Sequence, residues 1–260
     1  MSAQNIAPEL QQPLFEYLLR LGDDRLILGH RLSEWCGHGP ILEEDIALAN
    51  LALDCIGQAS VLLKEAGTVE GQGRSEDDLA YFRDAIDFRN LLLVELPKGD
   101  FGFTIVRQFL FSTFSYFFLE KLQQSAHKPL AGIAAKTFKE NLYHLRHSRK
   151  WLVVLGDGTE ESHQRVQNAL DELWGYTEEM FYMDQVDEAL MNAGIAVDLQ
   201  PLKEQWLSMV REALQEATLE LPDPDVYQHQ GGRTGFHTEH LGHLLAEMQI
   251  LPRSYPDARW

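Results

Sequence analysis

The feature that most limits what this chain can fold into is a helical periodicity that recurs from end to end and breaks only at glycine and proline. No stretch alternates apolar and polar residues with the period of two that a half-buried strand needs. From about Glu9 to Trp35 apolar residues return every third or fourth position, and the run stops at Cys36-Gly37-His38-Gly39-Pro40. A second run extends from about Ile41 to Ala66. Glu43, Glu44 and Asp45 sit at its positive end, and Ile46, Leu53, Ile56, Leu62 and Leu63 predict its buried stripe. Ser75-Glu76-Asp77-Asp78 opens a shorter helix as a capping box in which Asp stands for the usual Glu or Gln; that helix ends before Pro97-Lys98-Gly99. Asp100 caps a third long helix, rich in aromatics, that reaches about Gln124, and Pro129 opens a fourth that closes at Gly156-Asp157-Gly158. Helices over about Glu160 to Gly175, Thr177 to Ala193 and Leu199 to Leu221 come next. A Pro/Gly-rich stretch from Pro222 to Gly235 precedes a last one, about Thr238 to Ile250.

Four helices of about 25 residues, each about 35–40 Å long, predict an all-α fold: a ferritin-like four-helix bundle with additional packed helices. The long second-to-third connection, carrying a helix of its own, is the single crossover such bundles have. With 260 residues, 45% of them hydrophobic, the chain can bury a sizeable core. It shows no repeat, low-complexity tract or linker, so one domain over residues 1–260 is expected.

The 40 acidic residues outnumber 22 basic ones for a formal net charge of -18, a balance that repels nucleic acid and anionic membrane. The two cysteines, Cys36 and Cys55, form no CxxC and no zinc-ligand spacing, which suits a reducing cytosol. The start, MSAQNIAPELQQ, has neither a basic n-region nor an apolar h-region. The most apolar stretch, Ile105 to Leu119, carries Arg107 and Gln108 and is too short for a membrane span. A cytoplasmic protein is expected.

A ferritin-like bundle raises the question of a di-iron site. Such a site takes an acid from each of two helices and Glu-x-x-His from each of the other two, because residues three apart share a helical face. The first helix offers Asp23, Asp24, His30 and Glu34. The second has Asp54, but three residues on stands Gly57, which has no side chain to ligate. The third has no acid between Asp100 and Glu120; its middle reads Phe109-Leu110-Phe111-Ser112-Thr113-Phe114-Ser115. The fourth has Glu140, but Tyr143 occupies the histidine position and His144 lies one step further round. The set is broken, and Asp23, Asp54, Glu140 and His144 read as a vestigial polar pseudo-site whose members satisfy one another, with Phe111 or Phe114 as an apolar plug. No metal ligand, cofactor-binding residue or catalytic residue is assigned. The alternative is a degenerate metal-binding oxidase, active in its own right, that uses Glu140, His144 and Asp54.

Two other clusters have the look of metal sites. Glu160-Glu161-Ser162-His163 is formally Glu-x-x-His, but it opens a helix, where acids serve the dipole. His237, His240 and His243 stand three apart without a fourth ligand nearby, and caps and partner contacts explain them better than zinc. Nucleophile-elbow, phosphate-loop and dinucleotide motifs are absent. Arg146-His147-Ser148-Arg149-Lys150 is the densest basic cluster, either a solvated face or a meeting place for an acidic partner.

Several strings in order carry a resemblance over nearly the whole chain: Leu21-Gly22-Asp23, Arg31-Leu32-Ser33-Glu34-Trp35-Cys36-Gly37-His38, Asp45-Ile46-Ala47-Leu48-Ala49-Asn50, Asn90-Leu91-Leu92-Leu93-Val94-Glu95, Tyr143-His144-Leu145-Arg146, His237-Thr238-Glu239-His240-Leu241-Gly242 and Leu245-Ala246-Glu247-Met248-Gln249. In these the chain resembles the PaaC family of phenylacetyl-CoA 1,2-epoxidase subunits. The resemblance implies a structural, non-catalytic subunit of a multicomponent monooxygenase of aerobic phenylacetate catabolism. It would pair with a homologous catalytic subunit that holds the di-iron centre and the CoA substrate. It also implies a small bridging subunit and a reductase that takes electrons from NADPH. A stand-alone helical interaction protein is the third reading.

Overall fold

The computed structural model describes residues 7–258. Among them lie ten α-helices and no strand: α1 (Pro8–Ser33), α2 (Leu42–Glu70), α3 (Glu76–Tyr81), α4 (Leu92–Glu95), α5 (Phe101–Leu122), α6 (Lys128–Gly156), α7 (Glu160–Trp174), α8 (Gln185–Asn192), α9 (Gln200–Glu216) and α10 (Glu239–Ser254). The fold is all-α and ferritin-like. Its four long helices are α1, α2, α5 and α6, and the connection from α2 to α5 carries α3 and α4. The chain clusters into two compact units, where one domain is expected from the sequence. Unit one comprises Met1–Gly37, Ile46–Pro97 and Gln230–Trp260; unit two comprises His38–Asp45 and Lys98–His229.

In unit one, α1 and α2 run antiparallel. Gln11 of α1 donates to the Val69 carbonyl at 2.8 Å, while further along α1 a Cβ on Gly29 would lie 2.9 Å from Ile56 Cγ1 and 3.2 Å from the Ala52 carbonyl. The hydrogen atom at Gly29 is what lets the two helices come this close. The buried face of α2 is Leu48, Leu51, Ala52, Cys55, Ala59, Leu62, Leu63 and Ala66. The expected stripe is therefore corrected. Leu62 and Leu63 are buried, but Ile46 and Leu53 are 54% and 67% exposed, because at 100° per residue both fall opposite Leu48 and Cys55. By length and composition α2 could cross a membrane, yet half of its apolar window is buried within the protein.

Ser75 and Asp78 form the reciprocal capping box of α3, the Ser75 hydroxyl accepting from the Asp78 N–H at 3.1 Å and Asp78 Oδ2 accepting from the Ser75 N–H at 2.8 Å. Past Tyr81 the chain does not continue as one helix to Glu95. A 3-10 turn (Ala85–Asp87) and α4 replace it.

In unit two, Asp100 accepts from the Phe103 N–H at 2.9 Å to cap α5, and Pro129 sits in the first turn of α6. Tyr116 meets Phe138 at 5.5 Å and Phe101 meets Trp151 at 5.2 Å between ring centroids. Residue numbers rise on one helix as they fall on the other, so α5 and α6 are antiparallel. Phe109, Leu110, Phe111 and Phe114 are buried; Phe114 stacks on Phe118 and meets Phe181 edge-on. α9 closes over them, and its Trp206 Nε1 donates to the Leu110 carbonyl at 3.0 Å. The helix expected over Thr177 to Ala193 is broken at Asp184, whose side chain accepts from the Val186 N–H at 2.9 Å and starts α8 afresh.

Candidate functional site

Helix α1 buries an unusual charge load: Arg20, Asp23, Asp24, Arg25 and Arg31 are all buried. Charge taken out of water is costly unless paired and hydrogen-bonded, so the partners of these side chains define the polar centre of unit one.

Asp23 is wholly buried and is gripped by both arms of Arg83: Nη1 donates to Oδ2 at 2.9 Å and Nη2 donates to Oδ1. The Arg89 N–H adds a third donor at 2.9 Å. Arg83 in turn lies over the Phe88 ring, 4.3 Å from its centroid. Asp24 accepts from the Leu91 N–H at 2.8 Å and from both arms of Arg233 at 3.0 and 2.9 Å. Burial pushes the Arg25 guanidinium below its ordinary range, and the charge of Asp24 works against that shift. Burial likewise pushes the His30 imidazole down, with Glu34 opposing and Arg31 reinforcing the effect.

The second half of the network surrounds Glu95, whose side chain is 0% exposed. Its Oε2 accepts from Asn90 Nδ2 at 2.8 Å and faces His237 Nδ1 at 2.8 Å; its Oε1 accepts from the Thr238 N–H at 2.6 Å. His237 Nε2 faces the Phe88 carbonyl at 3.0 Å. Both ring nitrogens thus face an oxygen, one of a carboxylate and one of the backbone. Arg31 Nε and Nη2 donate to the Glu95 carbonyl at 3.1 and 2.8 Å, and Nη2 also donates to the His240 carbonyl at 3.1 Å. Gly232 fits because it is glycine: a Cβ there would lie 2.1 Å from the Asn90 carbonyl oxygen.

Chemically, this constellation is a clasp. The Glu95–His237 pair resembles a carboxylate–imidazole relay, but the outer nitrogen faces a backbone carbonyl. Its product is position: the segment 230–258 is held on α1 and on residues 80–95. Further along that segment Gln249 Nε2 donates to the Ala80 and Arg83 carbonyls at 3.2 and 3.0 Å. The sequence strings that carry the family resemblance supply Asp23, Arg31, Asn90, Glu95, His237 and Gln249. Residue spacing alone does not disclose their convergence.

The four residues of the expected pseudo-site divide between the units, Asp23 and Asp54 in unit one, Glu140 and His144 in unit two. Asp54 is half-buried on α2. Glu140 is half-buried with Lys136 Nζ 3.7 Å away, and His144 is buried at 3% exposure. The expectation that these residues satisfy one another is corrected for Asp23, whose partners are Arg83 and Arg89. Beside them in unit two Asn141 Nδ2 donates to the Ser112 carbonyl at 3.0 Å, and Gln108 Nε2 donates to Ser112 Oγ at 2.9 Å.

Asp23 is paired with a guanidinium and Gly57 has no side chain to donate, while in unit two the middle of α5 presents Gln108 and Ser112 rather than an acid. Among the described residues no three His, Cys, Asp or Glu side chains gather as a metal site. His163 has its Nδ1 2.7 Å from the Gly156 carbonyl at the end of α6, and Glu161 pairs with Arg165 at 2.6 Å. Of the three C-terminal histidines, His237 is in the clasp, His240 is half-buried and His243 exposed. One pair outside the clasp stands out in unit two: His147 Nε2 lies 2.7 Å from Glu44 Oε2, the side chains 8% and 10% exposed.

The family model described as phenylacetic acid catabolic protein matches residues 1–260. The C subunit of the 1,2-phenylacetyl-CoA epoxidase of Escherichia coli (strain K12) is 48% identical over 247 residues, covering 95% of this chain and 99% of that protein. An all-helical chain matched from end to end in this way belongs to the phenylacetic acid catabolic protein family.

Proposed function

We propose that this chain is a non-catalytic, structural subunit of a cytoplasmic phenylacetyl-CoA 1,2-epoxidase, which pairs with a homologous di-iron catalytic subunit and stabilises it. The observation that carries the reading is the fate of Asp23: the one acid of α1 that is wholly buried and without exposed surface is locked in a two-armed pair with Arg83. A carboxylate so committed cannot also bind a cation without breaking a buried ion pair, which costs about 3–5 kcal/mol. On this reading the chain holds no cofactor of its own. The irons sit in the catalytic partner, and a small bridging subunit and an NADPH-fed reductase complete the assembly. The likeness to a protein named as an epoxidase subunit supports a role within such a complex.

A scaffold role also has a physical rationale. An iron-binding bundle must keep buried carboxylates open for metal, an arrangement that sacrifices stability. A homologous bundle whose acids are closed by Arg83 and Arg233 carries no such strain.

The test is co-purification with metal analysis. When the catalytic partner is co-expressed, the pair should purify in equal amounts, with all the iron in the catalytic chain. Removing this chain should leave that partner poorly soluble and inactive. Stoichiometric iron in this chain, with oxidation of substrate in the partner's absence, would establish instead the degenerate oxidase built on Glu140, His144 and Asp54.

A further inference from the structure

The outer face of α6 carries a feature that the scaffold reading leaves unused. Lys136, Lys139, Tyr143, Arg146 and Lys150 are all exposed. At 100° per residue they fall within an arc of about 80°, and at 1.5 Å per residue they span about 21 Å. Four of the chain's 22 basic residues, against 40 acidic ones, therefore form one straight cationic stripe on a protein of net charge -18. Glu140, about 40° beyond the arc, lies 3.7 Å from Lys136, and Glu44 is bound to His147, about 20° beyond it. Neither Lys139 nor Lys150 meets an acidic side chain among the described residues. Arg149, just outside the arc, is bonded instead to Glu212 and Glu216 of α9 at 2.8 and 3.1 Å.

The stripe is not purely ionic. The Arg146 guanidinium lies over the Tyr143 ring, 5.6 Å from its centroid, which holds both side chains in place. Leu142, Tyr143 and Val154 are 45%, 39% and 50% exposed beside it. Tyrosine and arginine among exposed aliphatics are the composition of a protein interface. Nucleic acid or an anionic vesicle would be repelled at longer range by the rest of the chain.

We infer that the α6 stripe Lys136–Lys139–Tyr143–Arg146–Lys150 is a docking surface for an acidic face of a fellow subunit of the epoxidase assembly. The inference rests on the proposed function, since it takes a subunit of that assembly as the occupant. Opposite charge across such a face steers encounter and fixes which surface is met, and its contribution weakens with salt.

The test uses the full chain co-expressed with each remaining subunit, the complex being captured on this chain and its dissociation measured across a range of salt. Lys139→Glu/Arg146→Glu/Lys150→Glu should bind one subunit about tenfold or more weakly at low salt, with a flatter salt dependence. Lys139→Gln/Arg146→Gln/Lys150→Gln should fall between it and the native chain, and decides the matter should the reversed variant not fold. Lys64→Glu, an exposed reversal on α2, should change nothing. The inference is overturned if the reversed or the glutamine variant, with native helicity and melting, binds every subunit as the native chain does. It is equally overturned if the only binding lost is to duplex DNA or phosphatidylserine vesicles used as probes. A native chain that binds none of the subunits brings down the epoxidase reading itself, and this inference with it; native binding untouched by reversal brings down the stripe alone.

Discussion

His237 Nδ1 lies 2.8 Å from Glu95 Oε2 across 142 positions of sequence, with side chains 5% and 0% exposed. A contact this distant in the chain closes a long loop whose entropy must be offset elsewhere. Here the offset comes from many directions at once: the Asn90 amide, the Thr238 N–H and the Arg31 guanidinium all converge on Glu95. The pair fixes where α10 begins, since Thr238 is the residue that precedes it.

Replacing His237 by alanine leaves the Glu95 carboxylate buried with one donor fewer. Breaking one side of a buried pair costs about 3–5 kcal/mol, whereas removing both sides costs less. His237→Ala is expected to destabilise the chain by about 3 kcal/mol, and His237→Ala/Glu95→Gln by less than the sum of the single changes. Urea denaturation of the four proteins as a double-mutant cycle measures the coupling. Additive effects would mean that the two side chains do not sense each other.

Arg83 makes a parallel case with a different geometry. Its two arms match the two oxygens of Asp23, and a lysine can supply only a point charge in place of that fork. Arg83→Lys should therefore lose stability, about 1–3 kcal/mol, and Arg83→Leu more, about 3–5 kcal/mol. Neither should gain iron, because freeing Asp23 does not restore a ligand at Gly57 or in the middle of α5. Thermal melting together with metal analysis of both variants checks the two halves of this expectation.

These two networks also show what the sequence does and does not disclose. The capping box at Ser75 and Asp78, the Asp100 cap and the glycine stop after Trp35 involve neighbours within a few positions, so local pattern is enough to place them. The loss of Glu-x-x-His at Gly57 and Tyr143 is local in the same sense. Asp23 finding Arg83, or Glu95 finding His237, depends on how distant segments meet, and neither pairing leaves any periodic trace. The same limit explains Ile46 and Leu53. Apolar composition marks α2 as a core helix, but only the register of its contact with α1 decides which side is buried. Family strings hold Asp23, Glu95 and His237 without saying why they go together.

His30 gives the chain an acid sensitivity. Its folded-state pKa lies below the ordinary 6.5 because burial disfavours the imidazolium. The folded state therefore binds this proton less readily than the unfolded chain, so the contribution is full above about pH 6.5 and is lost progressively as pH falls from there through the depressed folded value. Stability of the native chain should fall more steeply from pH 6.5 downward than that of His30→Gln, the two converging in slope above neutrality. Urea midpoints taken at intervals from pH 7.5 to pH 5 make the comparison, and equal slopes would show that His30 is not the group responsible.

Gly232 lets the clasp be loosened without touching a charge. A Cβ at this position would come 2.1 Å from the Asn90 carbonyl oxygen, 3.2 Å from the Asn90 carbonyl carbon and 3.3 Å from the Leu91–Leu92 link at the Leu92 nitrogen, all of them backbone. No side-chain rotamer can relieve a clash with backbone, so in Gly232→Ala the 231–235 turn has to move. Arg233 reaches Asp24 from that turn, and moving it lengthens both of their hydrogen bonds at once. The substitution should cost about 3 kcal/mol or more, well above the 1–3 kcal/mol of an ordinary overpacked site. Its effect should also be local first: brief protease treatment should cut the Pro/Gly-rich stretch 222–235 faster in Gly232→Ala than in the native chain, while the helices of unit two stay intact. Cleavage at an unchanged rate, with unchanged melting, would mean that the turn tolerates the methyl group and that the clasp does not depend on its position.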